Sequence, residues 1–378
     1  MAAMAAKEKK EDKPLRHGYT TGACATAATK AALIALITQE RQSHATIRLP
    51  IGQDVTFEMD SCEYDEQSAM AGTIKDGGDD PDATHGALIL SRVEWLDEPG
   101  IVLDGGVGVG RVTKPGLPVP IGEAAINPVP RKMIRETAQA ILDQYEVERG
   151  IKIVISVPAG EEIAKKTLNG RLGILGGISI LGTRGIVVPF STSAYKASVA
   201  QAINVAKEAG CDHIVLSTGG KSESFGMEMY PELSEEAFVE MGDFVGFALQ
   251  QCKRKQMKKV TLVGMMGKFS KVAQGVMMVH SKSAPVDFGF LAQMAEAAGA
   301  DAEMVRQIKE ANTASQVGDL MADTPAFFEK MGENCCLAGL KEVRGRMEIE
   351  TMIITMKGSL LGRVTRNDTD DESDRHRG

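Results

Sequence analysis

Residues 212–220, DHIVLSTGG, pass from a short apolar run straight into a threonine and two glycines. A run of this length bounded by turn residues reads as a buried strand, and its neighbours decide which kind of sheet it joins. Upstream lie a second buried strand, IKIVISV (151–157), a helical stretch, GEEIAKKTLN (160–169), a glycine-bounded strand region, GISILGTRGIVV (177–188), and a long helix, STSAYKASVAQAINVAKEAG (191–210). Downstream come a helix near 234–253, the strand KVTLVG (259–264), a helix after Gly267, and helices from Gly289 to about Gly339. Strands and helices alternating at this spacing predict a three-layer α/β domain with a mainly parallel sheet. MEIETMIITMK (347–357) reads as a late strand that returns to the body of the first domain.

The first half has a different pattern. GACATAATKAALIALITQ (22–39) is rich in strong helix formers, and Thr20 or Thr21 is its natural cap. ATIRLP (45–50) and VTFEM (55–59) read as a hairpin, SAMAGTIK (68–75) and GALILSRVEWL (86–96) as further strands, and PVPRKMIRETAQAILDQYE (128–146) as a helix opened by prolines. This is α+β in character. The expected organisation is a disordered leader over 1–14, an α+β domain over 15–148, an α/β domain over 149–288, a helical segment with the late strand over 289–365, and a disordered acidic tail over 366–378.

The 378 residues, 43% hydrophobic and 25% charged, are enough for two cores. A net charge of −8 argues against a general nucleic-acid binder. The sequence shows no apolar run of the ~18 residues that a membrane span needs and no signal peptide, so a cytoplasmic location is expected. Six scattered cysteines lack C-x-x-C spacing and read as reduced thiols, with no metal site expected.

The common nucleotide signatures fail. In LDGGVGVGRVTKPG (103–116) the third glycine of a dinucleotide fingerprint would fall on Arg111, and in LVGMMGKFSK (262–271) the P-loop Ser/Thr would fall on Phe269. KDGGDDPDATHG (75–86) gathers Lys75, Asp76, Asp79, Asp80, Asp82 and His85 in one turn-rich stretch, where close carboxylates need a cation, a hydrogen-bonding ligand or solvent. His280 is a lone histidine whose position is compatible with a cleft.

Taken in order, these segments resemble the cobalt-precorrin-5B C(1)-methyltransferase family of anaerobic cobalamin biosynthesis. The resemblance rests on LRHGYTTGACATAATKAAL, KDGGDDPDATHG, GGVGVGRVTKPGL, AAINPVPRKMI, PAGEEIAKKTLNGRLGILGGISILGTRGIV and LVGMMGKFSKVAQG, spread over residues 15–287. Departures from the family pattern fall at Ala23, Arg184, Val188 to Phe190, and Met278 with Val279. The resemblance implies transfer of a methyl group from S-adenosylmethionine to ring carbon 1 of a cobalt-containing corrinoid, the cobalt belonging to the substrate. Within that activity the corrinoid's carboxylates need cations or helix N-termini, which points to Thr20, Thr21, Gly22, Lys75, Arg111, Lys114 and Arg131, and Asp76, Asp79, Gly108 and Gly110 join them as substrate-binding candidates. Glycine turns after strands point to Gly176, Gly177, Gly182, Thr183, Gly219 and Gly220 for the cofactor. Asp80, His85 and His280 are the candidates for catalytic proton handling, with Asp79 an alternative to Asp80 there and either aspartate an alternative holder of the donor's ribose diol or methionyl amine. A homodimer, and transient hand-over with other enzymes of the pathway, are compatible with this reading. Two other classes fit the residues less well: a non-catalytic corrinoid carrier and a phosphate-binding small-molecule kinase.

Overall fold

A computed structural model of the chain describes residues 14–345 and 347–367. The expected leader and tail lie, apart from Pro14, Arg366 and Asn367, outside the described residues. The chain divides into two units, one of residues up to Lys114 plus Pro118–Ser191, the other of Pro115–Leu117 plus the residues from Thr192 onward.

In the first unit, helix α1 (Thr21–Thr38) is buried on nearly every side, which its alanines allow, and it ends on Gln39 in the left-handed conformation. It has the length and mean hydropathy (1.4) of a membrane span, contrary to the sequence expectation, but 78% of that window is buried inside the protein. It is a core helix. A hairpin, β1 (His44–Arg48) and β2 (Asp54–Glu58), pairs by itself. The main sheet contains β3 (Ser61–Tyr64), β4 (Ser68–Ile74), β5 (Leu88–Leu96), β6 (Ile101–Gly105) and β7 (Gly150–Ser156), in the order β3-β4-β5-β7-β6. Helix α2 (Pro128–Gln144) joins α1 in the core, with Ile134 and Ala138 fully buried. Each large aliphatic side chain buried here, such as Leu33, Ile89 or Ile153, contributes about 1.5–3 kcal/mol.

Strand β7 corrects the expected boundary at 148/149. It inserts between β5, to which it is antiparallel, and β6, to which it is parallel, so its ladder belongs to the first sheet. The unit continues through α3 (Gly160–Ala164) to Ser191.

The second unit opens with α4 (Thr192–Glu208) and then builds β8 (His213–Ser217), α5 (Gly220–Met229), β9 (Phe238–Glu240), α6 (Val245–Arg254), β10 (Lys259–Met265) and α7 (Met266–Val272). Four helices follow, α8 (Phe288–Ala297), α9 (Ala302–Lys309), α10 (Ala314–Leu320) and α11 (Pro325–Val343), then β11 (Glu348–Ile354) and β12 (Leu360–Arg366). The sheet order is β9-β8-β10-β11-β12, parallel except for β12. Two expectations change. The single helix at 234–253 is instead a short strand followed by α6, and β11 pairs with β10 in this unit and does not return to the first.

Glu350 on β11 is 1% exposed, yet well satisfied. Tyr230 donates its hydroxyl to it, Thr261 Oγ1 donates at 2.7 Å, and Arg363 Nε on β12 donates at 2.7 Å. Burial pushes the carboxyl up, but these hydrogen bonds outweigh it and hold Glu350 below its ordinary value. One side chain thereby fastens three neighbouring strands.

Candidate functional site

A cavity of about 220 Å³ opens in the first unit at the N-terminus of α1. Its walls come from three segments: Thr20 and Thr21 at the helix start, Lys75 and Asp82 to Thr84 from the acidic loop, and Thr167, Asn169, Ile178, Ser179, Leu181 and Val187 from the glycine-rich stretch. Thr20 accepts a hydrogen bond from Ala23 N at 3.2 Å as the helix cap. The Thr21 hydroxyl accepts from Leu181 N at 2.9 Å, and Gly22 N donates to Leu181 O at 3.0 Å. The positive helix end is therefore partly spent on fixing the loop that forms the cavity's far wall.

Lys75 is 1% exposed and ion-paired with Asp82. Burial pushes the Asp82 carboxyl up, but hydrogen bonds from Lys75 and Thr84 prevail, so it stays ionised below the usual carboxylate range. An ammonium and a carboxylate held together in this way present the cavity with polarity and no net charge. The six cysteines are free, and burial pushes the Cys24 thiol up to about 12, so α1 carries no thiolate beside the cavity.

The rest of the acidic loop is used differently. Asp79 accepts from Arg16 N at 2.6 Å and its own amide donates to Arg16 O, while Asp76 pairs with the Arg16 guanidinium, which together with the Gly78 amide keeps its carboxyl low. Asp80 accepts from Phe190 N at 2.8 Å, and His85 Nδ1 accepts from Gly77 N at 3.0 Å, which favours the tautomer protonated at Nε2. Asp76 and Asp79 clasp the segment leading into α1, Asp80 holds Phe190 and His85 braces its own loop, and none of the four lines the cavity. Gly18 shows how closely: a Cβ there would lie 2.1 Å from Gly77 C.

The remaining candidates separate by place. Gly108 has a positive φ of 71° and no room for a side chain, since a Cβ would meet Val157 O at 1.8 Å; Gly110 and Gly177 are likewise pressed against backbone. Gly182 packs on Thr20, whereas Gly176 and Thr183 lie at the surface. Arg111 is engaged by Asp104, and Arg131 bonds the carbonyls of Ile126 and Ala124 and pairs with Glu123 at 2.9 Å. Lys114 packs over Gly173. His280, Gly219 and Gly220 belong to the second unit, with His280 Nδ1 accepting from Lys282 N at 3.2 Å. Sequence reasoning missed Asn169, Thr167 and Ser179. Only their place in a glycine-rich stretch marked them, because nothing in the order of residues told that this stretch folds back over α1.

Comparison with known proteins agrees with the family expected from the segments. The CbiD family model matches residues 8–189, and that of the CbiD C-terminal domain matches residues 278–365. The chain belongs to the CbiD family. Its relatives within CbiD include a Priestia megaterium protein named cobalt-precorrin-5B C(1)-methyltransferase, 66% identical over 360 residues, covering 95% of this chain and 98% of that one. A protein of the same name from Rubrobacter xylanophilus is 49% identical over 309 residues, covering 81% and 79%. A crystal structure of a cobalamin biosynthesis protein (CbiD) from Archaeoglobus fulgidus is 31% identical and covers 67% of this chain and 78% of that one, with a TM-score of 0.38, too low for an argument about shape.

Proposed function

We propose that this protein transfers the methyl group of S-adenosylmethionine to ring carbon 1 of cobalt-precorrin-5B, giving cobalt-precorrin-6A in cobalamin biosynthesis. The observation that carries the reading is the end-to-end match, at 66% identity, with a protein of that name. The chemistry is compatible with the cavity. Methylation of carbon by a sulfonium is an in-line displacement that needs orientation and no protein nucleophile. Cobalt enters as part of the substrate.

The cavity beside α1 is smaller than the ~300–1,000 Å³ of a pocket that encloses a drug-sized ligand, so the macrocycle inserts only an edge. Because Lys75 and Asp82 neutralise each other, that edge is an uncharged ring edge. The exposed leucines Leu168 and Leu181 give the apolar ring a surface to rest on. Exposed Lys166, next to Thr167, and exposed Arg184, on the stretch between Leu181 and Val187, meet the acetate and propionate groups. Asp82, kept ionised, holds the Lys75 ammonium in the cavity wall against which that ring edge rests. In the second unit we read the parallel sheet as the middle of three layers, because alternate residues of β8 enter two separate cores, Ile214 and Leu216 in one and Val215 in the other.

Incubation of the full chain with cobalt-precorrin-5B and S-adenosylmethionine should give a product one methyl heavier with equimolar S-adenosylhomocysteine, both read by mass spectrometry. Asp82→Asn, which leaves the Lys75 ammonium unpaired in the cavity wall, should weaken corrinoid binding roughly tenfold. Corrinoid binding without any S-adenosylhomocysteine would instead identify a carrier.

A further inference from the structure

In the second unit the chain leaves β8 through α5 to reach β9 on one side, then crosses through α6 to β10 on the other. The connection leaving β8 thus heads to one side, and the one leaving β10 through α7 to α11 heads to β11 on the other, so the two part above the carboxyl ends of β8 and β10, and a crevice at such a switch point is where open α/β sheets hold ligands. The groups gathered there are Thr218 to Ser222 after β8, Asp243 after β9 and Lys268 after β10.

Three observations make this more than the start of a helix. First, the ten-residue α5 has no side-chain cap, so its first-turn amides face outward with their partial positive charge. Second, the Ser217 hydroxyl is fully buried and has no hydrogen-bond partner among the described residues. It lies on the face of β8 that carries α5, since Val215, two residues back on the same face, is what a Cβ at Gly226 of that helix would meet, at 2.9 Å. Its hydroxyl is thus aimed beneath the helix's first turn. Third, Gly219, Gly220 and Gly267 need to be glycine for no internal reason: none has a left-handed φ, and a Cβ at any of them would meet nothing within 4 Å. A bare backbone with free space above it lets a ligand approach closely.

The crevice also holds both signs of charge. Lys268 Nζ donates to Thr218 O at 2.8 Å and pairs with Asp243 Oδ1 at 3.0 Å, which brings the α5 start and the Asp243 carboxylate within reach of one small molecule.

We propose that this crevice binds the amino-acid end of the methyl donor, its α-carboxylate on the first-turn amides of α5 above Ser217 and its α-ammonium on Asp243. The assignment rests on the methyltransferase reading. Calorimetric titration of the full chain with S-adenosylhomocysteine, with and without a cobalt corrinoid, tests it against Gly219→Val, which fills the space over the helix start, and Asp243→Asn, which removes the ammonium partner. Saturable binding by the parent protein, weakened at least tenfold in both variants at unchanged melting temperature, supports the site. If Gly219→Val does not fold, Asp243→Asn decides alone. Binding within twofold of the parent in the folded variants overturns the crevice and leaves the methyltransferase intact. Absence of binding by the parent in either condition overturns both. Inorganic phosphate in the millimolar range is the remaining probe: displacement of S-adenosylhomocysteine by phosphate but not by methionine would make this a phosphate site and overturn the proposal.

Discussion

Two glycine-rich segments, one in each unit, use glycine in opposite ways. In the first, Gly108, Gly110 and Gly177 are pressed against neighbouring backbone, so their bareness is consumed by the fold itself. In the second, Gly219 and Gly220 face open space and nothing in the protein demands them. Equally glycine-rich segments therefore carry different information. One describes how closely two chain segments approach, and the other describes room kept for something else.

The sharpest way to break this contrast is a pair of alanines. Gly108→Ala puts a Cβ 1.8 Å from Val157 O at a left-handed φ, and should cost at least ~3 kcal/mol in denaturant unfolding, whereas Gly220→Ala at the start of α5 should change stability by no more than about 1 kcal/mol. Equal losses would erase the distinction. Of similar size is the effect expected of Lys75→Met, which strands the Asp82 carboxylate in a mostly buried place at a cost of about 3–5 kcal/mol. Lys75→Met combined with Asp82→Asn should recover a good part of it, and failure to recover would mean that Lys75 has another essential partner.

In the second unit, Glu350→Gln should cost about 1–3 kcal/mol at neutral pH. A carboxyl held below its unfolded value contributes stability that is present above roughly pH 4.3 and is lost as the pH falls through the folded value. The variant should therefore show a flatter acid limb when melting temperature is followed against pH, and an unchanged limb would show that other carboxylates govern it. The smallest effect belongs to Thr20→Ala, a lost helix cap worth ~1 kcal/mol in thermal unfolding, with corrinoid affinity showing whether the hydroxyl matters to the cavity as well.

Much of the secondary structure was legible because it rests on local signals. The alanine-rich run gave α1 to within a residue at each end, and alternation gave the β1–β2 hairpin and strands β4 and β5. The misreadings have a common cause. IKIVISV looks the same whether a strand opens a new parallel sheet or fills a gap in an older one, and β7 does the second. GKSESFGMEM lacks a strong apolar stripe and holds two glycines, so α5 passed unnoticed. For the site, the residue types at Thr20, Thr21 and Lys75 drew attention correctly to the place where a cavity forms. The pairing of Lys75 with Asp82 was out of reach, because they stand seven positions apart across a turn and only the folded loop decides which of the neighbouring aspartates turns inward.

The layout of the second sheet has a consequence for how the protein comes into being. β10 and β11 are adjacent in space, yet the chain between them includes α7 to α11. During synthesis, β8, β9 and β10 emerge with one long edge of β10 unpaired, and that apolar edge stays open until more than eighty further residues have been made. The Glu350 cluster closes later still, since Arg363 is translated after it. The interval exposes a templating edge to other nascent chains, and slow translation or substitutions that delay α11 should show first as aggregation of new protein, before any loss of stability in the finished one.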